Sequence, residues 1–122
     1  MFSFVEKKKG ILGASPDGLV TDPSNPRSPH GIIGAKNAIV KDGETLKDTL
    51  IRKSISKMFD TGLKVKKSHM YFYQVQQQLS FLNRLWGVLA ILGSNGEFFH
   101  EEIAFQSEWW KEKLIKIEQL IL

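Results

Sequence analysis

A few groups of residues in this chain have types and spacings that could do chemistry. Pro16-Asp17-Gly18 sets a carboxylate in a tight turn, where it either bends the chain or holds a cation. Lys36 brings an amine into the apolar stretch that follows, "IIGAKNAIV". Tyr71, Gln74 and Gln78 lie three and four residues apart and project together from a helix. With no cysteine in the sequence, a bound cation must be held by oxygen or histidine. Lys47, Arg52, Lys53, Lys57, Lys64, Lys66 and Lys67 fall close together with only Asp48 and Asp60 among them, which reads as a strip facing phosphate or as a solvated helix face.

Other chemistries lack their residues. His30, His69 and His100 stand in a proline loop, at a helix start and in a strand; none accompanies a nucleophile, and each reads as structural. The glycines at 10, 13 and 18 have neither the spacing of a phosphate-binding loop nor the Lys-Ser/Thr that follows it. The longest apolar run, "WGVLAILG", is too short to cross a bilayer, and Glu6 with the lysines at 7 to 9 interrupts "MFSFV" before a signal peptide develops. The expectation is a soluble, intracellular protein. Its 122 residues suit one domain with a buried core, and a formal net charge of +4 favours polyanionic partners.

The elements that must position these groups follow from periodicity and punctuation. Residues 2 to 8 alternate as a strand, a turn falls near Asp17, and strand continues through Leu19 and Val20. "TDPSNPRSPHG" is too rich in proline for helix or central strand and reads as a surface loop before the strand "IIGAKNAIV". Thr45 with Asp48 forms a capping box for a helix whose apolar residues Leu46, Leu50, Ile51, Ile55, Met58 and Phe59 run to a stop at Gly62. The spacing predicts a second helix from about Met70 to Arg84, with Phe72, Val75, Leu79 and Leu82 buried. "WGVLAIL" is apolar throughout, as in a strand covered on both faces, and Ser94-Asn95-Gly96 turns it into "EFFHEEIAF". Ser107 caps a last helix with Trp110, Leu114, Ile117 and Ile121 as its core stripe and Glu112 paired with Lys116 outside. The order of elements makes an α/β (α+β) mixed central sheet flanked by helices.

On these residues the chain resembles the PD-(D/E)XK nuclease superfamily and, within it, the phage-exonuclease-like, YqaJ-like viral recombinase group. "LGASPDGLV" is similar to that group's first metal motif, "KKSHMYFYQVQQQL" to the start of its Gln/Tyr helix, and "WWKEKLIKIEQ" to its closing helix. The resemblance spans nearly the whole chain and implies a restriction-endonuclease-like core over residues 1–122 that binds DNA and hydrolyses phosphodiester bonds with Mg²⁺ or Mn²⁺. It implies that Asp17 and the backbone carbonyl of Ala35 bind metal, that Lys36 steadies the attacking water and that Gln74 shapes the site. Arg52, Lys53, Lys57, Lys64, Lys66 and Lys67 would follow the DNA backbone.

Two departures qualify that implication. The family's Glu-x-Lys reads Gly34-Ala35-Lys36, so a metal-binding carboxylate is missing, a loss on the scale of a broken buried charge pair. Asp42 or Glu44 could replace it only from beyond the strand end, and "EKK" at 6 to 8 precedes Asp17 in the wrong order. The family's helix before the first strand is also absent, which leaves a sheet face for a second copy or a partner chain to cover. The sequence therefore supports an exonuclease-like domain impaired by Gly34 or, alternatively, an inactive descendant that binds DNA or protein.

Overall fold

The computed structural model describes residues 3–6 and 16–121, with side chains over 16–120. The ends of the strand expected over residues 2 to 8, and the glycine-rich residues before Pro16, lie outside that set.

The apolar run at residues 86–93 forms the centre of a sheet, and its first six residues are all buried. Numbered in chain order, the strands are β1 (Ser3–Glu6), β2 (Gly18–Thr21), β3 (His30–Ala38), β4 (Ser56–Phe59), β5 (Gly62–Val65), β6 (Trp86–Gly93) and β7 (Phe98–Ala104). The main sheet has five strands in the order β1-β2-β3-β6-β7. Within it β3 and β6 run parallel, while the other neighbours are antiparallel. A parallel pair needs a long crossover. Here residues 39–85 supply it, carrying helix α1 (Leu46–Arg52), the β4–β5 hairpin and helix α2 (Met70–Leu82). Leu46, Leu50, Phe72, Val75 and Leu79 from the helices pack with Ile32, Leu89, Ile91 and Ile103 from one face of the sheet. This is the mixed sheet with flanking helices expected from the sequence.

The other face holds a smaller cluster of Val20, Trp86 and Val88. The proline loop covers it: the Trp86 indole N–H donates to the Ser28 carbonyl at 2.8 Å. A Cβ on Gly31 would lie 2.7 Å from the indole, so the backbone presses directly on the ring there. Farther along the same face, Leu92 and Phe98 are opposite one another and half exposed.

The helix expected from Thr45 to Gly62 is a short helix followed by a hairpin. The capping box forms as expected, with Thr45 Oγ1 accepting from Asp48 N–H and the Asp48 carboxylate accepting from Thr45 N–H. The helix then stops at Lys53, because Ser54 enters the left-handed region at φ 58°. Beyond it, Lys57 faces Lys64 and Phe59 faces Gly62 across β4–β5, with Gly62 at φ +117° after the Asp60-Thr61 turn. Ile55, Met58 and Phe59 match a helical period only by coincidence: Ile55 is buried, while Met58 and Phe59 are exposed.

Helix α2 ends a little earlier than expected, at Leu82, because Asn83 adopts the left-handed conformation and closes the helix. Helix α3 (Ser107–Ile121) starts one residue early, with Ser107 inside it and the Gln106 carbonyl accepting from Trp110 N–H in place of a Ser107 cap, and its stripe is not a core stripe. Trp110 is buried, whereas Leu114 and Ile117 are 39% and 38% exposed and the Ile121 side chain is outside the described set. Only the first turn of α3 is clamped: Trp109 meets Phe72 edge-on at 5.0 Å and Trp110 meets Tyr73 at 5.3 Å. The expected Glu112–Lys116 ion pair is not among those formed by the described residues.

Candidate functional site

Asp17 opens β2 and is held against the middle of β3. Its N–H donates to the Ile33 carbonyl at 3.0 Å, and its carboxylate accepts from the Ala35 N–H at 2.6 Å. The two bonds bracket Gly34. Side chains alternate along a strand, so Gly34 and Lys36 point to the same face. That is the helix face, since Ile32 on it belongs to the main core. A Cβ built on Gly34 meets no heavy atom within 4 Å. The position where a side chain would stand is open space between the residues that hold Asp17.

Lys36 reaches across to α2, its ammonium 5.1 Å from the centroid of the Tyr71 ring, a cation–π contact. Tyr71 is fixed in turn by His69, whose Nδ1 accepts from the Tyr71 N–H and caps α2. Burial, helped by the charge of Lys66, holds the His69 pKa below its ordinary value. The neutral imidazole keeps the lone pair that the cap requires. The structural role expected for His69 is thus a specific one.

Gln74 stands one turn after Tyr71, but it lines a groove with Ser68, Tyr73, Trp109 and Lys113. Asp17 contacts Ala35 and Lys36 contacts Tyr71, while Gln74 stands one turn along α2 from Tyr71. Of the acids that could stand in for the missing Glu, Glu44 is engaged elsewhere. Its carboxylate accepts from Arg52 at 2.7 and 2.9 Å and from the Thr49 hydroxyl at 2.6 Å, and these partners lower its pKa to about 2. The same ion pair takes Arg52 out of the basic strip.

The remaining basic residues divide by element. Lys53 caps α1, while Lys57, Lys64, Lys66 and Lys67 line one groove beside the hairpin. These four lysines therefore stand on and just after the β4–β5 hairpin, not on a helix face. Sequence reasoning also missed Gln76, which is fully buried and bonds the Ala104 carbonyl and the Gln106 N–H at 2.9 and 2.8 Å. Asp60-Thr61-Gly62, a turn signal between two short runs, was the signal for the hairpin.

As a divalent-cation site this arrangement falls short. Hard cations take six or more oxygens, chiefly from carboxylates, carbonyls and waters. Here Asp17 offers one carboxylate, already bonded to an amide, and position 34 offers none. Among the described residues no three acids, histidines or cysteines converge.

The topology and the bracketed strand pair define a mixed α/β fold, with the one parallel pair of its five-stranded sheet at β3 and β6. An alkaline exonuclease (LHK-Exo) from Laribacter hongkongensis has a similar fold, with a TM-score of 0.54 and 18% sequence identity over 88% of this chain. The match spans 46% of the exonuclease, so the chain corresponds to about half of its length. No protein-family model and no curated protein matches the sequence. Among the described residues, no helix is long and apolar enough to cross a membrane.

Proposed function

We propose that this chain is a DNA-binding domain on an exonuclease-like fold, with a metal centre that has lost one carboxylate. Asp17, Lys36 and Gln74 are the residues of its site, Ala35 would offer a backbone carbonyl, and the hairpin lysines attract the phosphate backbone. Hydrolysis with Mg²⁺ or Mn²⁺ is impaired because Gly34 supplies no carboxylate beside Asp17. The observation that carries this reading is the bracketing of Gly34 by the two Asp17 bonds, with Lys36 next on the same face. Lys36 on the Tyr71 ring keeps an ammonium at the notch where a phosphate oxygen would approach.

The test restores the carboxylate. Position 34 has room for a side chain, so Gly34→Glu should fold as the parent does. We expect the parent to shift linear duplex DNA in a gel without digesting it in Mg²⁺ or Mn²⁺. Gly34→Glu should gain digestion and a saturable Mn²⁺ signal in electron paramagnetic resonance, and Asp17→Ala should abolish both in that background. Digestion by the parent that disappears in Asp17→Ala would show the centre to be intact and refute the impaired reading.

A further inference from the structure

The hairpin wall has features that binding a smooth, fully paired duplex would not use. Lys57 and Lys64 are directly opposite each other across β4–β5, an arrangement that costs stability through repulsion unless an anion offsets it. With Lys66 and Lys67 they line a groove of about 690 Å³, and none of these lysines forms an ion pair among the described residues. Two acids share the groove: Glu101, whose carboxylate accepts from the Val65 N–H at 2.8 Å and is attracted to Lys64, and Glu102, paired with Arg27, so Lys57, Lys66 and Lys67 are the lysines there without a charged partner among the described residues.

Phe59 stands at the mouth of this groove, 49% exposed, with the Lys57 ammonium 5.8 Å from its ring centroid. Lys67 and Ser68 continue into a second groove of about 440 Å³. There Lys113 lies 5.3 Å from the centroid of the Trp109 ring, and Tyr73 stands beside it. Both grooves thus combine lysines with aromatic rings, they share Lys67 and Ser68, and the second also includes Gln74. Aromatic faces can stack only on bases that are not stacked within a duplex, while lysines serve any phosphate.

We infer that these joined grooves bind single-stranded nucleic acid, with Phe59 as a stacking platform and Lys57, Lys64, Lys66 and Lys67 on the phosphates. The inference rests on the DNA-binding reading above and deepens it by naming the form of the ligand.

Fluorescence anisotropy tests it with a labelled oligodeoxythymidine, the matching oligouridine and a duplex of equal length. The parent should bind the strand more tightly than the duplex. Phe59→Ala should weaken strand binding roughly tenfold with little effect on the duplex, and Phe59→Trp should retain it. Equal affinity for both oligonucleotides would support a path for any strand, and a preference would assign it to DNA or RNA. If Phe59→Ala leaves strand binding unchanged, or the duplex binds as tightly as the strand, the inference fails while DNA binding stands. Absence of binding to all the probes would remove the DNA-binding reading itself. The circular dichroism of each variant checks that the hairpin substitution leaves the fold in place.

Discussion

Single side chains decide both the chemistry and the joints of this fold. Asp17 makes its turn and also bonds to β3, so its carboxylate is structural even without a cation. Gln76 belongs to the Gln/Tyr stretch that carries the resemblance but had no role assigned there, yet it is the buried polar link from α2 to the end of β7 and the residues leading into α3. Removing it leaves the part-buried Gln106 N–H and Ala104 carbonyl without those partners. Gln76→Ala should therefore destabilise the protein by about 1–3 kcal/mol, seen as a lower urea midpoint with unchanged slope. A midpoint equal to the parent's would mean that water replaces the amide at no cost. Sequence alone could not reveal this role, because a glutamine in a run of three looks like a solvated face.

Elements were legible where a local signal had no competitor. Strand β6 declared itself by eight residues without charge, and the α1 start by its reciprocal cap. The middle of the crossover was not legible, since Ile55, Met58 and Phe59 satisfy a helical period while Ser54 and Gly62 require backbone that no helix provides. The site was legible in its residue types, but Asp17's second partner is a backbone N–H, which no pattern of side chains encodes. Helix α1 carries a pH dependence of its own. Glu44 has a folded pKa of about 2 against an ordinary 4.5, so its stabilising contribution is complete above 4.5 and is lost as pH falls toward 2. The melting temperature of the parent should fall more steeply across that window than that of Glu44→Gln. Parallel profiles for the two would show that the Arg52–Glu44 pair contributes nothing to folding.

At the scale of the whole molecule, a net charge of +4 understates the asymmetry of the surface. Acids Glu44 and Glu102 are matched by Arg52 and Arg27, whereas the hairpin lysines stand together without ion pairs among the described residues. Binding to a nucleic acid strand should weaken with salt through counterion release. The slope of log affinity against log salt should drop by roughly 0.7 for each of Lys57 and Lys64 replaced by alanine. A slope unmoved by both replacements would place the phosphate contacts elsewhere on the surface.

The open space at Gly34 has a consequence for inheritance. No neighbouring atom packs against that position, so the fold neither needs a residue there nor resists one. A carboxylate side chain could therefore be gained or lost at position 34 without a cost in packing. Selection on folding alone would be blind to that exchange, and only a demand on what the notch binds would make it visible.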